Sequence, residues 1–292
     1  MSRSIIVGIL IFLLPACIAP KSNTLRVVAT YSILGDIVRQ VGKGQVTLDL
    51  IVGPNQDMHT FEPTPKSLAL IAGADLVFEN GLNFEPWLDK LYKSSESKAR
   101  RVVVTNGIVP FSSETGENDP HLWHDVHYAI EMTKTIEKAL SKHDPKNETL
   151  YQANANAYIA RLTALQAWVF EKVQTIPKAE RVLVTTHDSF GYFARRYQFE
   201  TMGISTHTTE ASDPSAAEFI HLIETIKRLK ITAIFTENVT RSKTMETIAN
   251  ETGAKIVSSL YTDALSDTKG PADSYEKLIR HNVETITRGL LQ

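Results

Sequence analysis

The sequence predicts an α/β fold of two lobes, each built on a mostly parallel sheet, with one long rigid helix joining them. Short runs rich in Val, Ile and Leu alternate with stretches of helical spacing, and the alternation returns after Pro177. Buried strands separated by helices are typical of parallel sheets. With 292 residues, 42% of them hydrophobic and 22% charged, the chain has the length of two ordinary domains and a globular composition.

The first half contains four apolar runs of strand length. They are LRVVATY (25–31), VTLDLIVG (46–53), ADLVFENG (74–81) and RRVVVTNG (100–107). Between the runs lie SILGDIVRQVG, TPKSLALIAGA and NFEPWLDKLYKSS, whose apolar residues have the spacing of a helix. This pattern predicts an amino-terminal lobe over 25–143.

The same rhythm predicts a carboxy-terminal lobe over 177–292. Its predicted strands are RVLVTTH (181–187), FETMGIS (199–205), ITAIFTEN (231–238) and AKIVSSLY (254–261). No repeat is evident at the level of individual residues. We therefore expect two lobes of similar architecture that do not share a residue-level repeat.

Residues 144–176 predict one continuous helix between the lobes. Asp144 suits the N-cap, and Pro145 suits the first helical position. An apolar stripe with spacings of three and four then consists of Tyr151, Ala155, Tyr158, Leu162, Leu165, Val169 and Val173. Such a helix would be roughly 45–50 Å long. We expect it to hold the two lobes stiffly.

Residues 1–24 predict an export signal and tether. Arg3 precedes an apolar run, Ile5 to Leu14, that is too short to cross a bilayer as a helix. Cys17, the only cysteine, follows LPA as in a bacterial lipobox, which predicts cleavage before Cys17 and its lipidation. The alternative is a plain cleaved signal with an incidental cysteine. Both interpretations predict an exported protein without an internal disulfide.

The chemistry is expected at a local site, because a net charge of −2 favours neither nucleic acid nor anionic lipid as a partner. Four metal-binding side chains follow the carboxyl ends of predicted strands. They are His59 after VTLDLIV, His121 on the connection after RRVVVT, His187 at the end of RVLVTTH, and Asp263 after KIVSSLYT. Ligands of open parallel sheets bind beyond these strand ends, so two candidates per lobe would face each other across an interlobe cleft. Three imidazoles and one carboxylate complete a tetrahedral set for a transition metal.

With these motifs the chain resembles the metal-binding solute-binding proteins of ABC importers, a family that carries zinc, manganese or iron. DMHTFEPTP, DPHLW, THDSFGYFARRY, and YTDALSD followed by SYEKLIRHNVETI are similar, in this order, to the family's four ligand motifs. The resemblance assigns the metal ligands to His59, His121, His187 and Asp263; the third position is His or Glu in the family. It also implies a two-lobed fold with a long joining helix, an ABC permease as partner and a separate ATPase chain. We expect a monomer.

The second motif departs from the family pattern, in which an apolar residue and a proline usually follow. Here the continuation is WHDV, so His124 and His127 make HLWHDVHY a possible metal cluster by itself. The resemblance supports only His121. His207 is a further candidate, as part of a loop over the cleft. Residues expected to hydrogen-bond the ligands are Asp57, Glu62, Asp188 and Glu237.

The ligand set favours zinc, with manganese next and ferrous iron last. Neutral imidazole suits Zn²⁺, and Mn²⁺ prefers more oxygen ligands. A bidentate Asp263 would nevertheless permit five-coordination, so zinc, manganese and ferrous iron all remain candidate ions.

Two other functions are compatible with parts of the pattern. A zinc hydrolase could use Asp188 or Glu237 to activate water, but catalytic zinc keeps an open position, and HExxH and GxSxG motifs are absent. The second alternative is a secondary role as a surface adhesin. The sequence shows no adhesive patch that would indicate it. We therefore predict capture of a metal ion rather than catalysis.

Overall fold

A computed structural model of the chain describes residues 24–111, 118–205, 216–238 and 243–292. In these ranges the chain forms two four-stranded sheets in which every strand pair is parallel. The prediction of two α/β lobes with parallel sheets is confirmed. The predicted export signal with Cys17 and the loop with His207 lie outside the described residues. No helix among those residues is long and apolar enough to cross a membrane.

The first sheet is built from the four runs predicted for the amino-terminal lobe. Its strands are β1 (Leu25–Ala29), β2 (Val46–Leu50), β3 (Leu76–Glu79) and β4 (Arg100–Val103). The helices of this part are α1 (Ser32–Gly42), α2 (Pro65–Gly73), α3 (Leu88–Ser94) and α4 (Val126–His143). The strand order is β2-β1-β3-β4. All of β3 is buried, as its uninterrupted apolar run predicts.

The joining helix α5 spans Glu148–Val173 and is shorter than the predicted 144–176. Asp144 ends α4 instead of capping α5, and Pro145–Asn147 form a separate 3-10 turn. The Asp144 carboxylate accepts a 2.8 Å hydrogen bond from the Tyr151 hydroxyl, so it bonds to a side chain of α5 instead of capping the backbone of that helix. At 1.5 Å per residue, the 26 residues of α5 extend about 39 Å.

The predicted apolar stripe of α5 is confirmed, because all seven of its residues are buried. The helix packs against α4 and α1 of the first lobe. One apolar cluster extends from Val27 in β1 through Tyr158 in α5 to Phe235 in the second lobe. The lobes therefore share a core, and their relative position is fixed by packing as well as by chain connection.

The second sheet repeats the strand order of the first. Its strands are β5 (Val182–His187), β6 (Glu200–Ser205), β7 (Ala233–Glu237) and β8 (Lys255–Leu260), in the order β6-β5-β7-β8. The helices are α6 (Gly191–Tyr197), α7 (Ala216–Leu229), α8 (Lys243–Thr252) and α9 (Tyr275–Leu290). Because both sheets have the same order, corresponding loops at their carboxyl ends can face each other across the cleft.

Candidate metal centre

Four side chains from the two lobes meet between the carboxyl ends of the sheets. One ligand atom from each of His59, His121, His187 and Asp263 lies within 4.8 Å of the other three. His59 follows β2, and His121 lies between β4 and α4. His187 is the last residue of β5, and Asp263 follows β8 by three residues. The structure thus brings together the four residues that the sequence singled out.

The carboxylate of Asp263 lies at the centre of the group. Its Oδ2 is 3.4 Å from Nε2 of His59 and 3.4 Å from Nε2 of His187, and its Oδ1 is 3.5 Å from Nε2 of His121. Four ligand atoms bound tetrahedrally at about 2.1 Å would lie about 3.4 Å apart. The spacing to Asp263 therefore matches that of a four-coordinate transition metal site, and both oxygens are aimed into the group.

Several polar atoms in this group make no hydrogen bond. Across the described parts of the chain, Nε2 of His59, Nε2 of His187 and both oxygens of Asp263 are buried without a hydrogen bond. Buried polar atoms are rarely left so, because desolvation without a hydrogen bond costs on the order of 1–3 kcal/mol each. A bound cation would satisfy all of them at once.

His121 is oriented by a buried carboxylate two residues earlier in the chain. Asp119 Oδ1 lies 2.7 Å from His121 Nδ1 and also accepts the backbone N–H of His121 at 2.9 Å. Both side chains are fully buried. This contact directs Nε2 toward Asp263 and increases the basicity of the ring as a ligand. Asp119 was not among the residues predicted from the sequence, although the short DPH spacing is compatible with such a turn.

His187 is oriented in the same way by Glu237, the last residue of β7. Glu237 Oε2 lies 2.5 Å from His187 Nδ1, and Oε1 accepts the backbone N–H of His187 at 2.9 Å. The Thr262 hydroxyl donates to Oε2 at 3.1 Å, beside Asp263. The predicted hydrogen bond from Glu237 to a candidate ligand is therefore present in the structure.

His59 is the most accessible of the four. Its side chain is 19% exposed, against 0% for His121, 10% for His187 and 1% for Asp263. Asp57 shapes its loop by accepting the backbone N–H of His59 at 2.8 Å. The Asp57 side chain thus contacts the ligand loop as predicted, through the backbone rather than the ring. Glu62 is exposed and Asp188 is half-buried.

His187 and Asp263 stabilise the charged form of each other. Burial opposes the charged form of His187, but Glu237 and then Asp263 outweigh it and raise the pKa of His187 well above its usual value. Burial likewise opposes ionised Asp263, but His187 lowers the pKa of this carboxyl well below its usual range. Without an ion, His187 therefore holds a proton where a cation would bind, and Asp263 is ionised.

His124 lies outside the group of four. Its ring is buried and stacks on Phe190 with centroids 4.3 Å apart. Burial lowers the pKa of His124 to about 3, so the ring is neutral. His124, the second histidine of HLWH, thus makes a contact between the lobes, since Phe190 follows β5 and begins the turn into α6. His127 is half-buried and contacts the ring of Tyr128.

The segment after His121 also contacts the second lobe. Trp123 Nε1 donates a 2.8 Å hydrogen bond to the carbonyl of Thr262, and the Trp123 carbonyl accepts one of 2.6 Å from the Tyr275 hydroxyl. Asp125 pairs with Arg196 of α6 at 2.7 Å. Both ligand-bearing segments are therefore held in a common interface.

Comparison with known proteins identifies this arrangement. A profile of the family described as "ZnuA: Zinc-uptake complex component A periplasmic" matches residues 27–289. The chain belongs to this family. The resemblance stated from the four motifs is thus confirmed.

Individual members of the family differ in the ion for which they are named. The manganese-binding lipoprotein MntA of Halalkalibacterium halodurans is 30% identical over 297 residues, which cover 99% of this chain and 98% of that protein. The iron ABC transporter substrate-binding lipoprotein MtsA of Streptococcus pyogenes is 33% identical over 296 residues, with 96% and 95% covered. The periplasmic zinc binding protein TroA from Treponema pallidum has a TM-score of 0.87 and 31% identity, with 91% of this chain and 99% of that chain covered. Family membership therefore does not by itself select an ion.

Proposed function

We propose that this protein captures a divalent transition metal outside the cytoplasm and delivers it to an ABC permease driven by a separate ATPase. The ion is the cargo, and its ligands are His59, His121, His187 and Asp263. The observation that carries the proposal is the convergence of Nε2 from three histidines on the Asp263 carboxylate, at 3.4–3.5 Å from its oxygens, with one ligand atom of each of the four residues within 4.8 Å of the others. A cation with bonds of about 2.1 Å satisfies this geometry.

Each lobe supplies two of the four ligands. We infer that 25–143 supplies His59 and His121, that 177–292 supplies the other two ligands, and that 144–176 holds the two parts together. The protein acts as an exported monomer. Because two buried imidazoles are backed by carboxylates, the site favours a cation over a neutral solute.

Zinc is the ion that we expect to bind most tightly. Three imidazole nitrogens suit Zn²⁺, and affinity for a site of nitrogen and oxygen ligands is higher for Zn²⁺ than for Mn²⁺ or Fe²⁺. The two oxygens of Asp263 face different histidines, which also permits bidentate binding and five-coordinate Mn²⁺. Preference in the cell then depends on which ion is available as well as on affinity.

Capture fits the site better than hydrolysis. Catalytic zinc sites keep one position open for water beside three protein ligands. Here four side chains converge and only His59 is appreciably exposed. A closed set of ligands holds an ion and does not present it to a substrate.

The test is metal binding by protein stripped with a chelator. Titration with Zn²⁺, Mn²⁺ or Fe²⁺ alone, followed by competition between them, should give one site per chain and the order Zn²⁺ tightest. Ion at about 1,000 times the dissociation constant stabilises the folded state by about 4 kcal/mol, so the melting temperature should rise by several degrees. Mg²⁺ should leave it unchanged, and an unchanged melting curve with all three transition metals would refute the proposal.

A further inference from the structure

The loop after β3 has an unusual backbone close to the metal centre. Gly81, Leu82 and Asn83 are consecutive and all have positive φ, at 83°, 55° and 62°. The left-handed region is unfavourable for a residue such as Leu, so the surrounding structure has to hold this loop in place. Strain of this kind occurs preferentially at functional sites.

The carboxylate of Glu85 holds the loop. Its Oε1 accepts hydrogen bonds of 2.7 Å from the Thr30 hydroxyl and 2.7 Å from the backbone N–H of Asn80, and its Oε2 accepts one of 3.1 Å from the N–H of Gly81. Glu85 is only 7% exposed. All three partners are donors, so both oxygens act as acceptors, which is the arrangement that a carboxylate satisfies and an amide does not.

Asn80 connects the loop to the segment that carries His121. Its Nδ2 donates a 2.9 Å hydrogen bond to the carbonyl of Pro120, the residue immediately before His121. Its Oδ1 accepts one of 3.0 Å from the Tyr31 hydroxyl. Asn80 is fully buried, so its position determines where the Pro120 carbonyl can lie.

Phe84 connects the same loop to the rings of two candidate ligands. Its ring centroid is 5.6 Å from that of His59 and 5.9 Å from that of His121, and both contacts are edge-on. Such contacts constrain the tilt of an imidazole. Phe84 lies between the left-handed residues and Glu85 in the chain. The hydrogen bonds of Glu85 to the loop therefore also determine the position of Phe84.

We propose that Glu85 is a positioning residue of the metal centre, which acts through Asn80 and Phe84 to fix the orientation of His59 and His121. This inference rests on the proposed function. Glu85 does not touch the ion. It fixes a strained loop, and the loop fixes two of the four ligands before the ion arrives. Preorganised ligands bind more tightly, because less conformational freedom is lost on binding.

The ionisation of Glu85 determines the pH at which metal binding should be measured. Burial raises the pKa of Glu85 to about 7, against the hydrogen bonds from Thr30 and Asn80 that lower it. Binding should therefore be measured at pH 8, where the carboxylate predominates.

The decisive variants are Glu85→Gln, which replaces one acceptor by a donor, and Thr30→Val, which removes one of three donors at little change in volume. Asp144→Asn is the matched control, because Asp144 is also a buried carboxylate that accepts side-chain hydrogen bonds, at the turn between α4 and α5. Each purified protein is stripped of metal. Melting temperature, Zn²⁺ and Mn²⁺ affinity by chelator competition, and the visible spectrum of the Co²⁺-substituted form are then recorded.

We expect Glu85→Gln to lower metal affinity by about 10- to 100-fold, and Thr30→Val to lower it less. The Co²⁺ bands should shift in Glu85→Gln, because they report ligand geometry. The control should lose thermal stability and keep both affinity and spectrum. If Glu85→Gln melts lower but keeps wild-type affinity and spectrum, the inference is overturned; should that variant not fold, unchanged affinity and spectrum in Thr30→Val overturn it. Wild-type protein that binds neither Zn²⁺ nor Mn²⁺ would instead overturn the proposed function and this inference with it.

Discussion

The indole nitrogen of Trp123 donates a 2.8 Å hydrogen bond to the carbonyl oxygen of Thr262. Trp123 follows His121 by two residues, and Thr262 immediately precedes Asp263. One hydrogen bond thus joins the second ligand segment of the first lobe to the last ligand segment of the second lobe. Both groups are buried, so the bond is not weakened by competing water.

Replacing Trp123 by Phe should weaken metal binding without removing a ligand. The change leaves the Thr262 carbonyl without its donor and should lower the free energy of unfolding by roughly 1–3 kcal/mol. The Asp263 loop then has more freedom, so affinity should fall by less than it does when a ligand is lost. Trp168→Phe is the control, since Trp168 is a half-buried residue of α5 that stacks with Arg280. Equal effects of the two substitutions on affinity would contradict this role.

Removal of a ligand should have the largest effect on affinity. We expect His59→Ala, His121→Ala, His187→Ala and Asp263→Ala each to lower metal affinity by more than about 100-fold, which exceeds the usual effect of residues behind the ligands. Affinities are measured by competition with a chelator of known strength.

His124→Ala is the matched control for these substitutions. It should lower stability by about 2–4 kcal/mol, because the buried stack on Phe190 is lost, but change affinity by no more than about tenfold. A loss of affinity in His124→Ala as large as in His121→Ala would mean that both histidines of the HLWH motif bind the ion.

Metal affinity should increase with pH. Imidazole binds a metal only in its neutral form. In the metal-free protein, burial opposes the charge of His187, but Glu237 and Asp263 raise its pKa well above its usual value, so the ring is protonated near pH 7. The metal-bound state therefore carries fewer protons than the free state, and affinity should rise with pH until the raised pKa of His187 is passed, and fall as the pH is lowered. Calorimetry in buffers of different ionisation enthalpy counts the protons, and fewer than one released per ion would contradict the prediction.

The lobes should move little when the ion is removed. The shared core, helix α5, the 2.7 Å pair of Asp125 with Arg196 and the 2.8 Å hydrogen bond from Tyr192 to the Asp119 carbonyl all connect the lobes. We expect local shifts around His187 and Asp263 instead of hinge opening. Solution scattering of metal-free and metal-bound protein should give radii of gyration that agree within error. A clear expansion on metal removal would refute this expectation.

The sequence alone determined the architecture and the four residues that meet in the cleft. Apolar runs such as 25–31 and 181–187 predict strands because burial on both faces of a parallel sheet requires uninterrupted apolar residues, a property of neighbouring positions. His59, His121, His187 and Asp263 could be singled out because the carboxyl ends of parallel strands lie at one edge of a sheet. The stripe of α5 follows in the same way from helical periodicity.

Only the tertiary structure decided which groups stand behind those four. The pairing of Glu237 with His187, of Glu85 with Thr30 and of Trp123 with the Thr262 carbonyl joins residues far apart in the chain, which periodicity does not specify. The HLWH spacing was compatible with a metal cluster until the fold placed His124 on Phe190. Hydrogen bonds and ring contacts between distant segments depend on how elements pack in three dimensions, whereas strand and helix patterns are set by residues a few positions apart.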